Sequence, residues 1–118
     1  MKIKRRDEVP LTDAPGFAGV AKQVVLGPAD GSDEIVLRYF TLDPHGATPR
    51  HNHDFPHVMK VERGSGVAVG PDGVERPVGL GDYVYVPPDE VHNFKNVGDG
   101  PFEIICIVPR RGEAPSPT

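Results

Sequence analysis

His51, His53, His57 and His92 are four of the chain's five histidines, and their spacing would let a β-barrel bring them to one point. A neutral imidazole binds a divalent metal through one ring nitrogen, so a convergent set makes a metal centre without any carboxylate. A three-histidine, one-carboxylate set reduces a divalent ion to a net charge of +1. Four imidazoles leave it at +2, a stronger Lewis acid with greater affinity for hydroxide or an anionic oxygen ligand. On a six-coordinate ion two positions then stay open. They suit a bidentate carboxylate or enolate, or one organic ligand beside dioxygen. Four ligands could equally saturate a tetrahedral zinc ion, which is the closed, structural alternative. The fifth histidine, His45, lies in the turn-like run Asp43-Pro44-His45-Gly46 and is expected to be solvated.

The elements that must position these rings are strands. No window shows sustained helical periodicity, and apolar residues arrive in strand-length runs near 20–26, 34–42, 57–63, 65–70, 74–78, 82–87, 91–97 and 102–108. Glycine and proline number 14 each, but they punctuate these runs instead of clustering, as in a turn-rich β protein. Gly70-Pro71-Asp72-Gly73 reads as a tight hairpin turn, and Gly64-Ser65-Gly66 and Gly79-Leu80-Gly81 read as two more reversals. Eight short strands with such spacing predict an all-β sandwich or closed barrel. Strand side chains alternate faces. His51 and His53 therefore point the same way. His57 shares a face with Met59 and Val61, opposite Val58 and the charged Lys60 and Glu62, so it should face inward. His92 shares a face with Phe94 and Asn96.

A length of 118 residues suits one domain. The net charge of −4 argues against a nucleic-acid partner, which requires a basic footprint. Lys2, Lys4, Arg5, Arg6, Arg110 and Arg111 form short terminal clusters, read as solvated. No apolar run reaches the length of a membrane span, and the N-terminus lacks the apolar core of a signal peptide. One cysteine cannot form an internal disulfide, so a reducing cytoplasm is the expected location. The expected organisation is an N-terminal segment over 1–19, able to add an edge strand here or to a partner, a barrel over 20–109, and a flexible tail over 110–118.

The histidine spacings resemble the two motifs of the cupin superfamily. Gly46, His51, His53 and Gly64 follow G-x5-H-x-H-x3,4-E-x6-G, with one residue fewer after the first glycine and His57 in the glutamate's place. Gly81, Pro87, His92 and Asn96 follow G-x5-P-x-G-x2-H-x3-N, with Asp89 replacing the inner glycine. The substitution at His57 makes the chain similar to the small four-histidine monocupins known from thermophilic bacteria, one of which binds manganese. That resemblance implies a single-domain cupin jelly-roll barrel and a homodimer whose N-terminal segments pair across the interface. It also implies one divalent ion per chain held by His51, His53, His57 and His92. Manganese ranks first on this precedent, although imidazole also suits iron, zinc, nickel and copper.

Around the ion the expected pocket comprises Arg38, Phe40, Phe94, Ile104, Cys106 and Val108. Ile104, Cys106 and Val108 share a strand face opposite Glu103, so they point inward if Glu103 faces water. The resemblance places the cysteine near the metal but not on it. Arg38 lies on the face of Phe40 and Leu42, where it could clamp a substrate carboxylate or be an ordinary surface arginine. Asp54 and Glu90 adjoin ligands and are expected to face water, and Asn96 to secure a turn. No nucleophile elbow or phosphate-binding glycine loop is present. The functional expectation is a metal-dependent oxygenase, dioxygenase or related oxidoreductase acting on a small organic molecule. Its alternative is a binding or sensing module that holds a small anion without turnover. Isomerase or lyase chemistry ranks third, because no inward general base is evident.

Overall fold

In the computed structural model, which describes residues 1–113, eight strands form one curled sheet with the order β5-β4-β7-β2-β8-β3-β6 and β1 beside β2. They are β1 (Ala18–Leu26), β2 (Ile35–Ala47), β3 (His57–Arg63), β4 (Ser65–Val69), β5 (Glu75–Gly79), β6 (Tyr83–Val86), β7 (Asn93–Lys95) and β8 (Phe102–Pro109). The architecture is an all-β jelly roll, and its strand positions follow the alternation of apolar and polar residues. No helix among the described residues is long and apolar enough to cross a membrane.

Cross-strand register sets the inner face of the sheet. Val84, Met59, Cys106, Arg38 and Val24 are aligned partners across β6, β3, β8, β2 and β1, all with side chains on the inner face. Phe40, Leu42, Val61, Phe102 and Ile104 fill the core beside that row. Glu103 alternates to the opposite face, yet it is not in open water. It is 3% exposed, accepts a hydrogen bond from the Tyr39 hydroxyl, and pairs with Arg63 at 3.2 Å and Arg6 at 3.7 Å. Cys106 points inward as expected, although Glu103 on the opposite face does not meet open water.

Gly64 and Gly79-Leu80-Gly81 are corners, not reversals. β3 pairs with β6 and β4 with β5, so two antiparallel ribbons bend together from one side of the cup to the other. Leu80 N donates to Gly64 O at 3.1 Å and Gly81 N to Val61 O at 3.0 Å, which ties the two bends together. Gly64 has φ of 71°, and a Cβ there would run into the Pro101 carbonyl, so the corner requires glycine. The true reversal lies at Gly70–Gly73, where Gly73 N donates to Gly70 O at 3.1 Å.

Three other expectations shift. Asp43 to Gly46 belong to β2, although His45 sits at φ of 68° and is exposed. The N-terminal segment lays one bridge, Thr12 to Lys22, along the β1 edge, and its last two residues already belong to β1. Gln23 Nε2 donates to the carbonyls of Arg6 and Val9, and the Arg6 guanidinium stacks over Tyr39 at 4.3 Å. At the other end Arg110–Gly112 form a 3-10 turn and Glu113 is half-buried, so the stretch expected to be loose is held there. Residues 114–118 of that stretch lie outside the described residues.

Candidate metal centre

After β2 the chain continues beside β7, and main-chain bonds align the first histidines. Thr48 N donates to Phe94 O at 2.9 Å, and Phe94 N donates to Thr48 Oγ1 at 2.9 Å. His51 and His92 then form a reciprocal antiparallel bridge, with N–H···O distances of 3.1 and 2.9 Å. Two residues directly opposed in this way share a face, which brings their rings to 4.9 Å between centroids. His53 follows on the same face, and its carbonyl accepts from Asp89 N. Asp89 has φ of 67°, which explains why the family pattern places glycine there. Arg50 donates to Asn93 Oδ1 at 3.2 Å and to Gly70 O at 2.9 Å, tying the β4–β5 hairpin to this rim.

His51, His53 and His92 each offer a ring nitrogen within 4.8 Å of the others. The Nε2 atoms of His51 and His53 are 3.1 Å apart. Two imidazole nitrogens bound at right angles to one ion would be roughly 3.0 Å apart, given metal–nitrogen distances of about 2.1 Å. His92 Nδ1 donates to the Glu90 carbonyl at 2.9 Å, which leaves its Nε2 lone pair free. The orienting group is thus the main chain of Glu90, not its carboxylate. The Asp54 side chain is 80% exposed, with only a 3.9 Å contact to Arg111.

His57 stands apart from that trio of nitrogens. Its ring centroid is 4.9 Å from that of His92 and 5.3 Å from that of His53, and its Nε2 is buried without a hydrogen-bond partner among the described residues. Its other nitrogen, Nδ1, lies 3.3 Å from Cys106 Sγ, to which Arg38 Nη2 also donates at 3.1 Å. With Nδ1–H pointing at the sulfur, the orphaned Nε2 keeps a lone pair for a cation. Burial, reinforced by Arg38 and the other rings, pushes His57 down to about 3. Burial, then His53 and His92, pushes His51 down to about 4, and burial also lowers His53. These imidazoles are neutral near pH 7, as metal ligation requires. Facing nitrogens and an orphaned, buried Nε2 both fit a bound divalent ion.

The cavity beside the rings has a volume of about 50 Å³ and is lined by Arg38, Phe40, Phe94, Ile104 and Cys106. Val108, expected among them, is 1% exposed but lies in the core outside the cavity. Phe17, Thr48 and Met59 also line it. Met59 was legible, since it shares the His57 face. Phe17 was not, because it stands ahead of β1 with no strand alternation to orient it, and its ring stacks on Phe40 at 5.9 Å. Arg38 points inward but is no free clamp. Nη1 lies 3.5 Å from Glu113 Oε1, Nη2 serves Cys106, and the guanidinium packs 5.1 Å above the Phe40 ring. Asn96 is 2% exposed and does secure a turn, donating to the carbonyls of Leu42 and Gly100 and accepting from Gly98 N.

Comparison with known proteins agrees with this fold. A family profile described as a cupin domain matches residues 38–108, a stretch that includes all four histidines. Among solved structures, the polyketide cyclase RemF from Streptomyces resistomycificus superimposes with a TM-score of 0.87. It is 30% identical over 93% of this chain and 80% of its own. A structure described as a predicted oxalate decarboxylase from Thermotoga maritima gives a TM-score of 0.80 at 19% identity, covering 92% of this chain and 98% of that one, a likeness of fold alone. Auxin-binding protein 1 of Arabidopsis thaliana is 25% identical over 113 residues. The match covers 85% of this chain but only 57% of that relative's length.

Proposed function

The chain belongs to the cupin family, and from that premise we propose that it is a divalent-metal enzyme acting on a small enolisable or carboxylate molecule, by oxygenase or related oxidoreductase chemistry. The observation that carries this reading is the histidine cluster, which opens on an apolar, aromatic cavity. His51, His53 and His92 would hold the ion, and His57 would complete the set through its orphaned Nε2. Manganese remains first, with iron, zinc, nickel and copper as alternatives. A bound ion would polarise a coordinated oxygen atom or, where redox-active, admit dioxygen chemistry.

The protein's own groups supply the rest. Phe17, Phe40 and Phe94 exclude water from the cavity and offer flat apolar surface to a substrate. A volume of about 50 Å³ holds an ion and a few atoms of ligand, so the body of a larger substrate would lie across the mouth. Arg38 Nη1 and Nη2 are already engaged, and its Nε, buried without a partner among the described residues, is the donor it has left to offer a substrate oxygen beside the ion.

The 30% identity to a polyketide cyclase favours a second reading, Lewis-acid ring closure of a polyketone without dioxygen. One experiment separates them. Metal content is measured on purified protein, which is then reloaded with manganese, iron or zinc and assayed with β-dicarbonyl and polyketone substrates with and without air. Dioxygen uptake coupled to product supports the oxygenase. Product formed equally without air supports ring closure. Metal-dependent binding with no product from any metal form would reduce the protein to a binding module.

The homodimer suggested by the resemblance has a fitting surface on the outer face. Tyr85, Val58, Ile107 and Leu37 are aligned across four neighbouring strands there, with Tyr85 63% and Val58 52% exposed. Light scattering should return twice the chain mass, and Val58→Lys should return the monomer.

A further inference from the structure

Glu113 lies within the stretch that reads as a loose tail, yet its carboxylate is 2.7 Å from Lys22 Nζ and 3.5 Å from Arg38 Nη1. Its side chain is 10% exposed, that of Lys22 13% and that of Arg38 10%. Lys22 and Arg38 both project from the inner face, and neither pairs with another carboxylate among the described residues. We propose that Glu113 is the counter-ion of the metal centre, offsetting the positive charge that Lys22 and Arg38 bring beside the ion. The inference rests on the metal-centre reading above.

A guanidinium taken out of water is costly unless an anion compensates it. Arg38 Nη2 donates to Cys106 Sγ at 3.1 Å, the same sulfur that faces His57 Nδ1 at 3.3 Å, so whatever fixes Arg38 also fixes that sulfur and, through it, the far side of the His57 ring. Lys22 and Arg38 against one carboxylate leave a local charge of +1. Without Glu113 that charge rises to +2, next to the place where a dication must bind.

The segment carrying Glu113 is anchored rather than draped. Arg110 N donates to Glu34 O at 2.9 Å, and Arg111 Nη2 donates to Asp54 O at 3.3 Å. A Cβ at Gly112 would lie 2.8 Å from the Phe55 ring and 2.9 Å from Val108. Phe55 in turn stacks on His53 at 4.6 Å with the rings 8° from parallel. One short stretch therefore supports both His53 and His57.

The test is Co²⁺ affinity, read from absorption spectra by competitive titration of the full chain, for the parent, E113Q and the double variant K22M/E113Q. E113Q should bind Co²⁺ on the order of tenfold more weakly, the size of a nearby unit charge in a partly buried site. K22M/E113Q restores the local charge to +1 and should return to within about twofold of the parent. A purely structural Glu113 would lower thermal stability and leave both affinities unchanged, which overturns the proposal. Weak binding by E113Q without recovery in the double variant also overturns it. If E113Q does not fold, the double variant decides alone, since it must bind as the parent does. Absence of Co²⁺ binding by the parent overturns the metal-centre reading and this inference with it.

Discussion

The two sides of the histidine cluster are built by different means. On one side His51, His53 and His92 hang from main chain that is itself hydrogen-bonded, with the His51–His92 bridge and the Glu90 and Asp89 contacts leaving little freedom. On the other side the backbone of His57 lies in the β3–β6 ladder opposite Val86, but its ring is oriented by side chains, through Cys106 and Arg38 and, beyond them, Glu113. A main-chain carbonyl, such as that of Glu90 against His92, orients a ring whatever the neighbouring side chains are. A relay of side chains positions a ligand only while every member is present, so the second side should be the adjustable one.

Metal affinity gives the largest contrast. His92→Ala should weaken metal binding by more than about a hundredfold, because it removes a ligand from a preformed set. His57→Ala should cost about tenfold, the loss expected of a site that keeps its rigid half. Isothermal titration with Mn²⁺ or Co²⁺ checks both, and a greater loss at His57 than at His92 would break the comparison.

Acid sharpens it next. His51, His53 and His57 all have folded pKa values below the usual 6.5, so the unfolded chain takes up protons that the folded one refuses. Stability of the metal-free protein is therefore complete above about pH 6.5 and is lost as the pH falls towards 4 and then 3. The melting temperature should fall by about 10 °C between pH 7 and 4.5, and His57→Gln should flatten that slope. A melting temperature that held constant over this range would contradict the burial argument.

Asn96→Ala strikes the main-chain side. It removes two donated bonds and one accepted bond from a residue 2% exposed, and should cost about 2 kcal/mol in urea unfolding. The smallest effect belongs to Asp89→Gly, which relieves a left-handed residue at φ of 67°. It should change stability by no more than about 0.5 kcal/mol while leaving metal affinity unchanged. A loss of metal affinity in that variant would mean that the Asp89 side chain, and not only its backbone, supports the rim.

Where the strand period of two applied, residues were legible. It put His57 and Met59 on one inward face and Cys106 on another, and the Asp-Gly turn at 72–73 marked the hairpin. It misled at Gly64 and Gly79–Gly81, because a glycine that permits a corner looks the same as one that permits a reversal. Only the pairing of β3 with β6 and of β4 with β5 separates the two. Val108 failed for a related reason, since an inward face is longer than the cavity it lines.

The residues themselves determined the fold class, the inward faces and the four candidate ligands, because alternation and turn chemistry are local properties of the chain. Tertiary structure decided which nitrogens converge, that Arg38 is already paired, and that Glu113 reaches Lys22 and Arg38 across most of the sequence. Arg38 meets Cys106 and Glu113 across 68 and 75 positions and Lys22 meets Glu113 across 91, and a charge balance over such spans exists only once the strands have closed around it.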